Sequence, residues 1–307
     1  MLDRNVTTVI DTEKCIGCEL CIKVCPSETI SMQDGKAHVT GDRSLQCGHC
    51  MAVCPVGAVR VDAIDAQSLL FNSFDLKNHW LPHGEPDTAR LAQLMASRRS
   101  CRNYSEKAVD RSVLEDLVKI GTTAPSGTNS QNWTFTIFPD PAAVNEFGQR
   151  IGSFFKNLNR MAEKKWMRKA LKLIGKPELD NYFRDYYESV KDGLEEWELC
   201  GRDRLFHGAT AVIVVATKPG GSCPMEDALL ATQNILLAAH SMGLGTCLIG
   251  FAVEAIQNDS AIQQFLTIPA EETVCSVIAI GYPEEKYEGL TGRKKFVMRY
   301  FEAGTNK

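Results

Sequence analysis

Cys15-Ile16-Gly17-Cys18-Glu19-Leu20-Cys21-Ile22-Lys23-Val24-Cys25-Pro26 is answered further along the chain by Ser44-Leu45-Gln46-Cys47-Gly48-His49-Cys50-Met51-Ala52-Val53-Cys54-Pro55. Cys18, Cys21 and Cys25 recur as Cys47, Cys50 and Cys54, each 29 residues on, and Pro26 recurs as Pro55. Three thiolates on one tight loop can cap three corners of a cubane, while the fourth, after a turn, points away towards a second cluster. The proline that follows stops the local helix and redirects the chain. Between the two runs, Asp34-Gly35 sits between Ile30-Ser31-Met32 and Ala37-His38-Val39, which predicts a β-hairpin. Spacing and fixed offset together point to iron–sulfur binding, with zinc as the plainer alternative.

The spacing resembles that of bacterial two-cluster ferredoxins, in which the fourth cysteine of each motif serves the other cluster. The resemblance implies one complete 4Fe–4S site from Cys15, Cys18, Cys21 and Cys54. It implies a second from Cys25, Cys47 and Cys50, with Ser44 where Cys15 predicts a thiolate. Three outcomes stay open for that second site: Ser44 ligates through oxygen, the site holds a 3Fe–4S cluster, or water or Asp42 completes it. A module this small buries little apolar surface, so its clusters supply much of its folding free energy.

The 307 residues suffice for two domains, and 44% hydrophobic with 23% charged residues is ordinary for a globular chain. Twelve cysteines are many, and seven of them lie between Cys15 and Cys54. A formal charge of −4 gives no reason to expect nucleic acid or an anionic membrane as partner. No apolar run approaches a membrane span, and Met1-Leu2-Asp3-Arg4-Asn5 lacks the layout of a secretory signal, so the expected location is cytoplasmic.

From Thr88 the pattern changes to helices alternating with short apolar strands. Asp110 is placed to cap a helix bearing Val113, Leu114, Leu117, Val118 and Gly121. Trp133 to Phe138 reads as a strand ended by Pro139, and Asp140-Pro141 starts a helix with proline at its favoured first position. Thr210 to Thr217 and Val274 to Ile280 read as strands, and Ala228 to Met242 as a helix ending at Gly243. Four local features stand out. Arg98-Arg99-Ser100-Cys101-Arg102 is a dense donor cluster suited to a phosphate monoester and a flavin edge. Ala124-Pro125-Ser126-Gly127-Thr128-Asn129-Ser130-Gln131-Asn132-Trp133 is a polar loop entering a strand. Met242-Gly243-Leu244-Gly245-Thr246, running to Ile249-Gly250-Phe251, offers glycines for close approach of a flat ligand. Gly281-Tyr282-Pro283 precedes Arg293-Lys294-Lys295.

In this order and spacing the four features resemble the FMN-dependent nitroreductase family, over residues 88–307. The fold expected is therefore α+β: a ferredoxin-like iron–sulfur module of small β-hairpins and short helices in residues 1–65, a linker in 66–87, and a nitroreductase-like α+β sandwich in 88–307. The resemblance implies that Arg98 and Ser100 contact the FMN phosphate and ribityl chain. It places Arg99 in the same donor cluster and Arg102 at the pyrimidine edge, where a cation stabilises the charge of the reduced ring. It implies that Pro125, Ser126, Gly127, Asn129 and Gln131 reach FMN from the other subunit, which makes the protein a homodimer with FMN at the subunit interface. Leu248, Ile249 and Gly250 are implied to turn backbone N–H towards flavin N5, and Arg293, with Lys295 behind it, to meet the phosphate. Some members carry an acidic side chain where this chain has Ile249.

Residues 147–200 are helical in pattern and rich in aromatic and basic residues, readable as an amphipathic pair with Lys164, Lys165, Arg168 and Lys169 on a solvated face, or as a lid over the flavin. Cys101, inside the arginine cluster, is a candidate for a depressed thiol pKa. The function implied is that of an FMN-dependent oxidoreductase. Electrons come from the iron–sulfur clusters, fed by an external ferredoxin, or from NAD(P)H, and leave through FMN to a small nitroaromatic or quinone acceptor. The alternative is an electron carrier or redox sensor with no dedicated small-molecule substrate, and reductive removal of a substituent is a further possibility for the same fold.

Overall fold

The structure is a computed structural model that describes residues 4–77 and 79–301. The N-terminal module runs β1 (Thr8–Ile10), α1 (Leu20–Lys23), β2 (Ile30–Gln33), β3 (Lys36–Val39), α2 (His49–Ala52) and β4 (Val59–Val61). The hairpin forms as its sequence predicts. Gln33 pairs with Lys36, and Asp34 and Gly35 both take positive φ (48° and 74°), the signature of a two-residue turn matched to strand twist. β1 pairs antiparallel with β4, Thr8 opposite Val61, and closes the module on itself. The sequence reading lacked this pair because three-residue strands carry too little alternation to register. The module's core is small, and Cys15, Cys21 and Cys50 sit in it beside Ile30, Ala37, Val59 and Val61.

Residues 66–87 carry a 3-10 turn at Ala66–Leu69, capped by Asp65 accepting from the Gln67 N–H at 2.8 Å. The stretch is then tied down by the fully buried Asp116, which accepts from the Asn72 and Ser73 N–H groups and the Ser73 hydroxyl. Burial opposes the charge on Asp116, yet these donors outweigh it and hold the carboxyl below its ordinary pKa.

The larger unit runs α3 (Thr88–Ser97), α4 (Arg111–Gly121), β5 (Trp133–Phe138), α5 (Pro141–Ala162), α6 (Lys165–Leu173), α7 (Glu178–Asp185), α8 (Tyr187–Cys200), β6 (Ala211–Thr217), α9 (Pro224–Ser241), β7 (Gly245–Leu248), α10 (Gly250–Asn258), α11 (Ser260–Phe265) and β8 (Thr273–Gly281). The sheet order is β5-β6-β8-β7, with every pair antiparallel. β6 is buried along its whole length, and its alternation decides the layers. Val212, Val214 and Ala216 face one core with Phe147, Ile151 and Ala252. Ala211, Ile213 and Val215 face the other with Leu114, Leu117 and Ile235. Helices thus cover both faces of one sheet, the α+β sandwich expected.

The local signals behave unevenly. Asp140 caps α5 by accepting from Ala143 N–H at 2.9 Å, with Pro141 behind it. Asp110 occupies the position before α4, but its side chain makes no capping hydrogen bond. Gly243 follows α9 at φ 80°, where a side chain would be strained. Residues 147–200 form most of four helices rather than a pair. Arg168, expected on a solvated face, lies over the Phe183 ring at 3.6 Å and pairs with Asp180 at 3.3 Å.

Candidate functional site

The seven cysteines of the small module separate into two sets around two cavities. Cys15, Cys18, Cys21 and Cys54 line one; Cys25, Cys47, Cys50 and Ser44 line the other. The exchange of the fourth cysteine between motifs is therefore present in the fold. The thiols are spread around the cavities: among the described residues no three His, Cys, Asp or Glu side chains close on one point as a mononuclear ion requires. A cubane needs its ligands so spread. Backbone N–H groups aim at the sulfurs: Ala37 at Cys15 (3.4 Å), Thr29 at Cys25 (3.4 Å) and Ala58 at Cys54 (3.2 Å). The N–H of Ala37, helped by that of Gly17, draws the Cys15 thiol below its ordinary pKa, whereas burial pushes Cys21 and Cys50 up. Cluster irons, held by these cysteines, would favour the thiolate form and so offset that rise. The donor set fits iron–sulfur clusters.

The 29-residue repeat extends to the backbone. Gly17 and Gln46, Glu19 and Gly48, and Glu28 and Gly57 are three pairs at that offset, and all six residues have positive φ. Within this frame Ser44 stands where Cys15 stands. The Gln46 N–H donates to Ser44 Oγ at 3.0 Å, as the Gly17 N–H does to the Cys15 sulfur. Asp42, the other oxygen candidate, is exposed beside Arg43 and does not line the cavity.

In the large domain the fold joins three of the four motifs. Ser100 bridges to Thr246 as a short parallel ladder, and the Cys101 N–H donates to Thr246 O at 2.9 Å. The chain then runs along the Gly281-Tyr282-Pro283 turn, with Ser105 N–H on Tyr282 O (2.9 Å) and Glu284 N–H on Asn103 O (3.1 Å). The motif glycines serve this packing. A Cβ on Gly245 would lie 2.7 Å from Cys101 Sγ, and one on Gly281 would lie 2.8 Å from Tyr104 Cδ1. The close approach anticipated for a flat ligand at Gly245 is thus made by Cys101. That cysteine also reverses its expectation. Burial first, then the Glu285 carboxylate 3.2 Å away, push the thiol up to about 12. It is buried although it lines one cavity with Arg98 and Arg99, and burial outweighs the charge that suggested the opposite.

Arg98 is half-buried, and its guanidinium is held below its ordinary pKa by burial first and then by the neighbouring Arg293 and Arg99. Arg99 donates to Thr291 O at 2.9 Å and to the Thr291 hydroxyl, which fixes the C-terminal segment two residues before Arg293, whose charge reaches Arg98. No ion pair among the described residues uses Arg98, Arg99, Arg102 or Arg293. Glu285 and Glu288 line the same cavity as Arg98 and Arg99, but none of the four guanidinium groups is paired with them, so the cations stay available to a phosphate dianion. Ser100, Arg98 and Arg102 also surround the Cys247 thiol, where they partly offset the rise that burial imposes. Lys295 is exposed further along the same segment. At the N5 segment, Leu248 is half exposed and Ile249 buried. The Ile249 N–H is already given to Val277 O at 2.9 Å, which withdraws it from the three donors implied; Gly250 stands in the first turn of α10, where N–H groups have no partner within the helix.

The fourth motif stands apart. Pro125, Ser126, Gly127, Asn129 and Gln131 lie in a loop built around a 3-10 turn at Gly127–Asn129, with positive φ at Thr128, Asn129 and Gln131. Asp227, at the start of α9, pins it by accepting from Gly127 N–H (2.9 Å) and Ser130 Oγ (3.1 Å). Ser126 Oγ accepts from Gln131 N–H at 3.1 Å. No hydrogen bond among the described residues ties this loop to the arginine segment; it meets the iron–sulfur module instead. Asp227, Thr291 and Arg4 were missed because each acts across a long sequence gap and leaves no local pattern. A wall of rings flanks Gly250: Phe251 meets Phe155 (5.5 Å) and Tyr186 (5.8 Å) edge to face, and Phe155 stacks on Tyr182 (6.3 Å).

Comparison with known proteins agrees with both halves. The nitroreductase family model matches residues 95–282, and a 4Fe-4S dicluster domain model matches residues 9–58. The chain is 23% identical over 208 residues to a 4-nitrobenzoate reductase of Nocardioides, covering 63% of this chain and 81% of that protein. It is 24% identical over 199 residues to an iodotyrosine deiodinase of Haliscomenobacter hydrossis, covering 64% and 81%. Over 77 residues it is 34% identical to a ferredoxin of Escherichia coli, covering 22% of this chain and 90% of that one. The crystal structure of a nitroreductase with bound FMN from Desulfitobacterium hafniense superposes with a TM-score of 0.50 at 21% identity, covering 69% and 97%, a likeness of fold. The chain belongs to the nitroreductase family of FMN-dependent oxidoreductases and carries a ferredoxin-like 4Fe-4S dicluster domain ahead of the flavin domain.

Proposed function

We propose that this protein is a homodimeric oxidoreductase that moves electrons from its iron–sulfur clusters, or from NAD(P)H, through FMN to a small aromatic acceptor. The observation that carries the reading is the arginine segment: Arg98 and Arg99 line one cavity with Gly245 and Thr246 of the glycine motif, and neither they nor Arg293 is held in an ion pair among the described residues. On this reading Arg98, Ser100 and Arg293 hold the FMN phosphate, Arg99 positions Arg293 through Thr291, and Arg102 faces the pyrimidine edge. Bound there, FMN supplies two-electron chemistry that can also be filled one electron at a time.

Two observations support a dimer. The loop at residues 125–131 is not part of the arginine site on its own chain, so a second copy is what brings it there. The C-terminal segment leaves Phe296, Val297, Met298, Tyr300 and Phe301 exposed, and α9 exposes Met225, Leu229 and Leu230, more apolar surface than an isolated chain keeps. The aromatic wall favours a planar acceptor. A nitrobenzoate and an iodotyrosine, the compounds in two relatives' names, are both planar aromatics. On this reading Phe251 and Tyr186, both exposed and meeting edge to face at 5.8 Å, offer ring surface to the acceptor, and no acidic side chain at Ile249 restricts it. Protons come from water, since no side chain of the segment is placed as a general acid.

The test is anaerobic stopped flow in two halves. NADH or a reduced ferredoxin should bleach the flavin, and a nitroaromatic, a quinone or a halogenated phenol should restore it. Reoxidation by none of the three acceptor classes, with prompt reduction, would support the carrier reading instead.

A further inference from the structure

Arg4 and Asn129 join the two domains at one place. Arg4 Nη1 donates to Asn129 O at 2.7 Å and to Leu45 O at 3.2 Å. Asn129 Nδ2 donates to Leu45 O at 3.0 Å and to Gln46 O at 3.1 Å, and Asn129 Oδ1 accepts from Gln131 Nε2 at 2.8 Å. Leu45 and Gln46 lie between Ser44 and Cys47, on the wall of the second cysteine set. Asn129 and Gln131 lie in the loop assigned to the flavin. A continuous run of hydrogen bonds therefore links the cavity of Cys25, Cys47, Cys50 and Ser44 to that loop.

The internal repeat provides its own control. Ile16 is the counterpart of Leu45 at the 29-residue offset, and it is 62% exposed on the wall of the first set, where Val56 is exposed as well. The same position is open to solvent at one cysteine set and, at the other, half-buried with its carbonyl held by Asn129 of the flavin domain. The asymmetry is not required by the ferredoxin fold, whose two halves are alike.

We propose that the Arg4–Asn129–Leu45/Gln46 contact is the electron-transfer junction of the molecule. The second, serine-bearing cluster site is the neighbour of the flavin, and the first is the entry point for an external one-electron donor of the reduced-ferredoxin class. Arg4 and Asn129 are positioning residues that keep the cluster loop against the flavin loop. This rests on the reading that clusters and FMN are both bound. Each transfer across the junction takes one electron from a ferrous iron and leaves it ferric. Two transfers, with protons from water, deliver the electron pair that the acceptor receives, and the external donor restores the irons.

The test uses the cluster- and FMN-loaded dimer. Arg4→Ala removes one guanidinium bridging two carbonyls, and Arg4→Lys restores a cation. Asn129→Asp is nearly isosteric but turns the donors into acceptors facing two carbonyls. Flavin bleaching is followed after reduction by a ferredoxin-type donor, and separately after NADH; EPR reports the reduced clusters. Arg4→Ala should slow donor-to-flavin transfer about tenfold, the scale of losing a charge-assisted hydrogen bond, while FMN content and NADH bleaching stay unchanged. Reduced-cluster EPR signal should persist while the flavin is still oxidised, and Arg4→Lys should recover most of the rate. Asn129→Asp should also slow the transfer, with faster hydrogen exchange at the Gln46 and Cys47 amides. Unchanged transfer in both Arg4→Ala and Asn129→Asp, with clusters and FMN present, overturns the junction and leaves the functional reading standing. Absence of sulfide or FMN from the wild-type protein removes that reading, and the junction with it.

Discussion

Arg99 donates to the Thr291 carbonyl at 2.9 Å, and this tie holds the C-terminal segment where the charge of Arg293 reaches Arg98. Arg98 is half-buried, and burial together with the like charges of Arg293 and Arg99 disfavours its cationic form, a penalty that a bound phosphate would offset.

Replacing Arg98 or Arg293 by alanine is expected to weaken FMN binding about 10- to 100-fold, the range for one charge-assisted hydrogen bond to phosphate. Titration by flavin fluorescence measures it. The FMN-free Arg293→Ala protein should melt no lower than the FMN-free wild type, because a repulsion has been removed. A clear drop in that melting temperature would show that Arg293 holds the fold rather than the ligand.

Gly245→Ala sets a Cβ against Cys101 Sγ at 2.7 Å, and the neighbour is packed side chain with no room to move. A loss of about 1–3 kcal/mol is expected from such overpacking. Since Ser100 bridges to Thr246 beside this contact, FMN affinity should fall along with thermal stability. Denaturant melts and flavin titration on one preparation check both, and a stable variant with normal FMN affinity would contradict the packing account.

Cys101 should be inert. With its thiol pushed from an ordinary 9.0 to about 12, almost none is thiolate at pH 8, so iodoacetamide should label exposed Cys200 and Cys223 first. The sign for stability follows from a folded pKa above the unfolded one. The contribution is intact below about pH 9 and is lost as pH rises towards about 12, because only the unfolded thiol ionises in that window. Peptide mass mapping of labelled protein reads the first point, and melts between pH 8 and pH 11 the second. Fast labelling of Cys101 at pH 8 would mean that the arginine charge outweighs burial.

Phe251→Ala opens the ring wall beside Gly250. It should raise KM for aromatic acceptors about three- to tenfold, the size of one lost aromatic contact, with the NADH-driven half-reaction unchanged. Equal loss in both half-reactions would point to a role in holding the flavin.

Much of this was legible in the sequence because it is local. The 29-residue offset, the Asp34-Gly35 turn, the strand at Trp133–Phe138 and the buried run of β6 each have a short-range signature. The donor cluster at Arg98–Arg102 was visible as composition, but its geometry was not. The use of Gly245 by Cys101, and of Arg99 by Thr291, depends on segments distant in the chain. Arg4 carried no signal, being one basic residue near the N-terminus whose partners, Leu45 and Asn129, contribute backbone carbonyls. The glycines of Gly243-Leu244-Gly245 suggested a ligand because a close backbone approach looks alike whether a flavin or a cysteine makes it. Asp110 shows the reverse case, a capping residue type in the capping position that makes no cap.

The account rests most directly on what the wild-type protein holds. Anaerobic purification should yield FMN with about eight irons and matching labile sulfide per chain, and reduced samples should show interacting clusters by EPR. Ser44→Ala should then lose about one iron and show an oxidised 3Fe–4S signal, whereas Ser44→Cys should keep the full count. Zinc without sulfide, or seven irons already in the wild type, would contradict it, the first ending the electron-transfer reading and the second removing Ser44 from the ligand set.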